Sequence, residues 1–333
     1  MKKITVSFII IAFNEEQYIT KVFSDLLEQD YPHKLIEVIL VDGMSIDSTK
    51  SLMEDFREKN LNKFQSIYVY DNKNRTLPCG WNVALNHVNN DVILKVDAHA
   101  HIPKDFISNN VNCLNNGEDI CGGYRPNIIE DNNNWNDMLL KAETSMFGSS
   151  IASYRRNINK QYVKSIFHGA YRKKVFDDVG FFNENLSRTE DNEIHYRMRL
   201  KGYKICFDPK IISYQLTRST LKKMIQQKFA NGFWIGRTFW VCPKCLEKYH
   251  FIPMLFVLGI LITSILYFCG RPLLGNLMWG SYWIMAFFIM ILNFMKNKFN
   301  ICYFLLPGVF FLLHISYGIG TIKGLLLNRE QQN

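Results

Sequence analysis

A chain of 333 residues can hold one large domain or two smaller ones, and 48% hydrophobic residues is ordinary for a globular protein. The net charge of +9 contains no long single-sign run, which argues against a nucleic-acid-binding arm. An anionic substrate and an anionic membrane surface both suit the excess. The apolar residues are unevenly spread: the first 250 residues are polar and patterned, whereas residues 251–327 are nearly uncharged. Eight cysteines lie scattered without a disulfide-like framework, as expected in a reducing compartment, and the single CxxC, Cys242 to Cys245, reads as structural.

Met1-Lys2-Lys3 followed by Ile4 to Phe13 imitates a signal peptide, but Asn14-Glu15-Glu16 follows at once without a cleavage site, so Ile4–Ala12 is expected to be a buried strand. Tyr18, Ile19, Val22, Phe23, Leu26 and Leu27 recur at helical spacing until Tyr31-Pro32. Ile36–Val41 is a second strand, ending in Asp42-Gly43-Met44-Ser45-Ile46-Asp47-Ser48-Thr49. A helix through Leu52, Met53 and Phe56, a strand at Ile67–Tyr70 and a helix through Trp81, Ala84, Leu85 and Val88 follow. Asp91–Val96 is the next strand, and Pro103 prevents its easy continuation. Alternating strands and helices predict an α/β fold with a mostly parallel sheet. Right-handed crossovers then gather the loops carrying Asn14, Asp42 and Asp97 on one rim. No GxGxxG or GxxxxGK[ST] follows any strand, which disfavours a Rossmann dinucleotide site and a P-loop.

Asp97 and His99 lie two residues apart, so in extended chain their side chains project to one side and can reach one metal ion. The competing reading is an Asp-initiated turn with an exposed histidine. Beyond it, Glu118–Arg125 reads as a strand, Asp131–Asn134 as a turn, and Met138–Phe147 as a helix. Gly148-Ser149-Ser150 breaks that helix and opens a mobile polar stretch to Gln161. Phe167–Tyr171 precedes a further helix. Thr189 is a plausible N-cap that places Glu190 and Asp191 in a first turn, where acids also simply complement the helix dipole.

Arg218–Trp240 is an amphipathic helix with Leu221, Met224, Ile225, Phe229, Phe233 and Trp234 on its apolar stripe and Lys222, Lys223, Lys228 and Arg237 as its cations. It reads as lying in a membrane interface or as packing in a core. Residues 251–269, 273–295 and 301–322 are each long enough to cross ~30 Å of hydrocarbon. Lys244 and Lys248 before the first, with Lys296 and Lys298 between the second and third, put residues 1–250 in the cytosol. Lys323 and Arg329 then fall outside unless the third segment re-enters. The expected organisation is a catalytic domain over residues 1–217, an interfacial helix and linker over 218–250, and a membrane region over 251–325.

Ile9–Glu16, Val41–Thr49, Val96–Ala100 and Glu190-Asp191, in that order, resemble the motifs of glycosyltransferase family 2. Its Asp-Gly-Met-Ser and Asp-Ala-His-Ala versions, with Phe167–Arg172 and Gln227–Trp234, are similar to the membrane-anchored, succinoglycan-biosynthesis-like branch. The resemblance covers about residues 4–240 and implies an inverting enzyme of GT-A fold. It implies that Asp97, with His99 in place of the second acid of Asp-x-Asp, holds Mn²⁺ or Mg²⁺ on the diphosphate of a sugar nucleotide. Phe13, Glu15 and Asp42 would line the nucleotide pocket, with Asp47 a turn or helix cap. Asp191 matches the catalytic base, with Glu190 beside it. Gln227, Phe233 and Trp234 match loosely an acceptor or diphosphate element whose arginine is replaced near Ala230 or Asn231; Arg75, Arg172 and Lys173 are substitutes for that charge. The implied activity is transfer of a hexose, from a UDP-sugar, to a lipid-linked saccharide at the plasma membrane for an exported bacterial polysaccharide. Direct transfer to polyprenyl phosphate and a non-catalytic sugar-nucleotide-binding subunit are the alternatives.

Overall fold

A computed structural model describes residues 3–148 and 159–327; most of the polar stretch expected after Gly148 lies outside them. The first half runs β1 (Val6–Ala12), α1 (Ile19–Leu27), β2 (Ile36–Asp42), α2 (Thr49–Asn60), β3 (Ser66–Asp71), α3 (Leu77–Leu85), β4 (Val92–Asp97), β5 (Ala100–His101), α4 (Phe106–Asn115), β6 (Ile120–Tyr124), β7 (Asn127–Ile128) and α5 (Asn134–Thr144). It continues with β8 (Gln161–Val163), β9 (Ala170–Arg172), α6 (Lys173–Val179), α7 (Glu190–Leu200), β10 (Ile205–Ile212) and β11 (Tyr214–Leu216). The helices α8 (Leu221–Val241), α9 (Ile252–Phe268), α10 (Leu273–Lys296) and α11 (Leu306–Leu326) complete it. These elements form two compact units. One runs to Pro126 and resumes up to Gln215; the other takes Asn127–Gly148 and the chain from Leu216.

The first unit is an eight-stranded sheet in the order β3-β2-β1-β4-β9-β6-β10-β8. The expected α/β architecture is present. β1 is parallel to β2 and β4, β2 to β3, and β10 to β6. Seven consecutive buried residues in each of β1 and β2 reflect a sheet covered on both faces, which is why their sequences are mostly apolar and do not alternate; the buried Ser7 and Glu37 answer each other by a hydrogen bond of 2.6 Å. Phe8, Ile10, Val38, Leu40, Leu94 and Val96 pack on α1, α2 and α4. Ile9, Ile11, Ile39, Val41 and Ile93 point to the other face, against Trp81 of α3, Phe176 of α6 and Ile194 of α7. Between β4 and β6 the sheet contains one short antiparallel strand, β9, which pairs with both. Three residues are too few to register as a periodic pattern, so this strand was not expected.

The second unit is helical. Met138, Leu139 and Ala142 of α5 share a core with Met224 of α8, Tyr282 and Ala286 of α10, and Phe310 and Leu313 of α11. Three helices, Lys248–Phe268, Leu273–Lys296 and Ile301–Leu326, are long and apolar enough to cross a membrane. α8 packs along α11 through glycines: a Cβ on Gly236 would stand 2.7 Å from the Leu325 nitrogen, and one on Gly324 would meet the Phe233 carbonyl. Gly232 and Gly320 make similar approaches, so both helices use small residues four apart to bring backbones together. The buried face of α8 therefore differs from the expected stripe. Lys228, expected among the helix's cations, is buried and ion-paired to Glu143 of α5 at 2.8–2.9 Å.

Candidate active site

The parallel register sets the ends of four strands in one row: Ala12 opposite Asp42, Asp42 opposite Asp71, and Ile11 opposite Asp97. The loops leaving β1 and β2 are stitched together. Asn14 accepts from the Ile46 N–H at 3.0 Å, Glu15 N–H donates to Thr49 Oγ1 at 2.8 Å, and Ser48 N–H donates to Glu16 at 3.0 Å. Asn14, Met44 and Arg75, each just beyond a strand, are held at φ of 55°, 62° and 61°, a left-handed conformation costly for side-chain-bearing residues and concentrated at functional rims. Gly43 is needed there, because a Cβ would sit 3.0 Å from that of Phe13 and 3.2 Å from the Ala12 carbonyl oxygen.

Asp42 is buried, and its carboxylate accepts the Ser45 N–H at 3.1 Å. Asp47 accepts from the Thr49 and Glu16 N–H groups at 3.0 and 3.2 Å, a turn and helix-entry role. The Phe13 ring is 44% exposed, leaving a face for stacking.

Asp97 ends β4. Its Oδ2 lies 3.2 Å from Arg125 Nη2 and 3.3 Å from His168 Nε2, both groups buried. Burial alone would raise the Asp97 pKa, but hydrogen bonding to His168 and the neighbouring guanidinium hold it well below the usual carboxylate range. Burial, assisted by the Arg125 charge, lowers the His168 pKa, so the imidazole is neutral. Its Nδ1 lies 2.8 Å from Ser213 Oγ, an arrangement in which Nε2 carries the proton toward Asp97. His99 Nδ1 lies 3.1 Å from Glu15 Oε1, leaving Nε2 as its second ring nitrogen. Among the described residues no three His, Cys, Asp or Glu side chains converge as a metal cage. A carboxylate and an imidazole, each oriented by a neighbour, suit a cation completed by substrate oxygens and water.

Asp191 and Glu190 open α7, with Thr189 preceding them but making no capping hydrogen bond from its side chain. Lys95 and Asp97 lie on the same face of β4 because side chains alternate along a strand. The Lys95 ammonium, 5% exposed, is ion-paired to the Asp191 carboxylate. The predicted base is thereby tied to the strand that carries the predicted metal ligand. Glu190 is buried, with Oε2 lacking a hydrogen-bond partner among the described residues. Burial and the Asp191 charge, opposed by Lys95, push its pKa up to about 8, so this carboxyl holds a proton at neutral pH.

Glu15, Asp42, Asp97 and His99 thus share the rim, and Lys95 brings Asp191 to the same face. Lys95, Arg125 and His168 were not anticipated as site residues. His101 is engaged away from Asp97: its Nδ1 pairs with the buried Asp25 of α1 at 2.6 Å and its ring stacks on Tyr214. One expectation needs correcting. Arg172 and Lys173 lie at the opposite end of the sheet, since Arg172 is paired with Val92 at the start of β4. There they bind the Leu114 and Val88 carbonyls at 2.9 Å. Arg75 remains exposed on the rim loop after β3. Gln227, Phe233 and Trp234 lie on α8 in the other unit, where the Phe233 and Trp234 rings meet edge to face.

The profile described as glycosyl transferase family 2 matches residues 7–180, more than half of the chain. The chain belongs to glycosyltransferase family 2. A relative from Methanococcus voltae, dolichyl N-acetyl-alpha-D-glucosaminyl phosphate 3-beta-D-2,3-diacetamido-2,3-dideoxy-beta-D-glucuronosyltransferase, is 28% identical, with 96% of this chain and 97% of that protein covered. A poly-beta-1,6-N-acetyl-D-glucosamine synthase of Staphylococcus epidermidis is 24% identical over 71% of this chain, which spans only 53% of that synthase. Among solved structures, the mannosyltransferase PcManGT from Pyrobaculum calidifontis, in complex with GDP-Man and Mn²⁺, has a TM-score of 0.64 at 17% identity, covering 97% of this chain and 88% of that one. This glycosyltransferase therefore has the GT-A fold expected from its motifs, followed by helices apolar enough to span a membrane.

Proposed function

We propose that this glycosyltransferase is anchored in the plasma membrane with its sheet unit in the cytosol. There it moves a hexose, with inversion, from a nucleotide-diphosphate sugar (UDP-linked) to a lipid-linked saccharide, for a bacterial exported or cell-surface glycan. The observation that carries this reading is the placement of Asp97 and the Lys95–Asp191 pair on one face of β4 at the rim of the sheet. Phe13, Glu15 and Asp42 are assigned to the nucleotide. Asp97 and His99 would hold a divalent cation, Mn²⁺ or Mg²⁺, which when bound offsets the charge that develops on the departing diphosphate. The Mn²⁺ in the complex of the mannosyltransferase neighbour is in keeping with use of a divalent cation. Arg125 and His168 fix the Asp97 carboxylate in one orientation.

Asp191 takes the proton of the acceptor hydroxyl as that oxygen attacks the anomeric carbon from the face opposite the leaving group. One base on one face describes a single displacement through an oxocarbenium-like transition state. Glu190, protonated, adds no second negative charge beside it. The Methanococcus relative, whose name specifies a dolichyl-phosphate-linked sugar as acceptor, favours a lipid-linked saccharide over bare polyprenyl phosphate. Replacing Asp191 by Asn tests the reading. Donor binding should persist while turnover falls about 10²–10⁴-fold. Undiminished turnover would remove the base, and a wild type that binds sugar nucleotide without ever transferring sugar would make the chain a binding subunit.

A further inference from the structure

Lys95 is a charge set into an apolar strand, Val92-Ile-Leu-Lys-Val96, and folding keeps it 5% exposed. Burying an ammonium is costly unless its surroundings replace water. Here they do so on three sides. The Asp191 carboxylate pairs with it, the Trp81 ring centroid lies 4.5 Å from Nζ, and the Phe182 centroid lies 4.8 Å away. The cage is itself pinned: Asn82 donates to the Phe182 carbonyl at 3.0 Å and accepts the Phe182 N–H at 2.9 Å, while Trp81 is buried on the sheet-facing side of α3. Two residues farther along β4, on the same face, stands Asp97, roughly 6.6 Å away along the strand.

We infer that Lys95 is the positioning residue for the base. Held by two rings on a rigid strand, its ammonium fixes the orientation of the Asp191 carboxylate and its offset from Asp97. The spacing between donor site and base is then set by two residues of one strand, not by the loop that precedes α7. In the transfer, the acceptor O–H proton passes to Asp191 and the new C–O bond forms as the anomeric C–O bond to phosphate breaks. The nucleoside diphosphate leaves with that electron pair, and Lys95 keeps its own protons throughout. This inference rests on Asp191 being the base.

The test uses the full chain in detergent with four variants: Lys95→Met, Lys95→Arg, Asp191→Asn and the Lys95→Met/Asp191→Asn double. Met keeps the packing between Trp81 and Phe182 and removes the charge. Turnover is read as nucleoside diphosphate released from UDP- and GDP-sugars with membrane lipid extract as acceptor. UDP with Mn²⁺ is the binding probe. Lys95→Met should lower kcat about 100-fold, the scale of a misplaced catalytic group, with UDP affinity and acceptor KM within about threefold of wild type. Lys95→Arg should recover about tenfold of that loss. The double variant should be no slower than Asp191→Asn alone, because the two act as a unit. Lys95→Met within threefold of wild-type kcat, beside an inactive Asp191→Asn, overturns the inference and spares the base. Parallel loss of UDP binding and turnover in both Lys95 variants also overturns it, by making the residue structural. An active Asp191→Asn overturns the functional reading itself.

Discussion

Glu190 gives the fold a pH dependence that a single substitution should erase. In the unfolded chain its carboxyl titrates near 4.5, whereas in the folded protein burial and the Asp191 charge raise it to about 8, against the opposing pull of Lys95. Below about pH 4.5 both states hold the proton and the group contributes no slope. Between these values only the folded state holds it, so unfolding releases a proton and stability falls as pH rises, by about 1.4 kcal/mol per pH unit for one group. Across the whole window the loss is at most roughly 5 kcal/mol, after which both states are ionised and the slope vanishes. Glu190→Gln keeps the shape and removes the titration. Melting temperatures of the two proteins in detergent should coincide near pH 5 and diverge by on the order of 10 °C at pH 8.5, with the variant higher. A constant separation from pH 5 to 8.5 would refute the reasoning, because the carboxyl would then not be held protonated by its surroundings.

Asp97→Ala should weaken UDP binding in Mn²⁺ by about tenfold or more, and excess chelator should bring the wild type down to the same level; calorimetric titration decides. Gly324→Ile should cost about 3 kcal/mol, at the upper end for overpacking, because the obstacle is the Phe233 backbone and cannot rotate away. Gly308→Ala, with open space around it on the same helix, is the control and should lose nothing in the same melts. Lys228→Met should cost about 3–5 kcal/mol by leaving the Glu143 carboxylate without the ammonium beside it, and adding Glu143→Leu should restore most of the loss.

β1, β2 and β4 were legible because a strand buried on both faces must be predominantly apolar, and Val6–Ala12 and Ile36–Val41 are such runs apart from Ser7 and Glu37. The rim followed from topology alone, since parallel strands joined by right-handed crossovers leave Asn14, Asp42 and Asp97 on one edge. What escaped was set by contacts distant along the chain. Lys95 meets a carboxylate 96 positions away, and Arg125 reaches Asp97 across 28. The available signal was the lone lysine inside Val92–Val96, a charge with no reason to be there unless something answers it. The packed face of α8 and its partner escaped for a different reason. Glycine registers as neither apolar nor charged, so a helix that packs through Gly232 and Gly236 looks amphipathic by its larger side chains. The matching pair Gly320 and Gly324, also four apart, was the clue to its partner.

Each unit is assembled from two stretches of chain, and this constrains how the protein can be dissected. Ending the polypeptide ahead of Leu216 would remove α8 to α11 but retain Asn127–Gly148, whose Met138, Leu139 and Ala142 share their core with those helices. Such a fragment would carry a sticky greasy helix in mid-sequence and would be expected to precipitate. A water-soluble sheet unit calls for a second excision, joining Pro126 to the chain near Gln161, and chimaeras that exchange anchors between relatives must splice at both places.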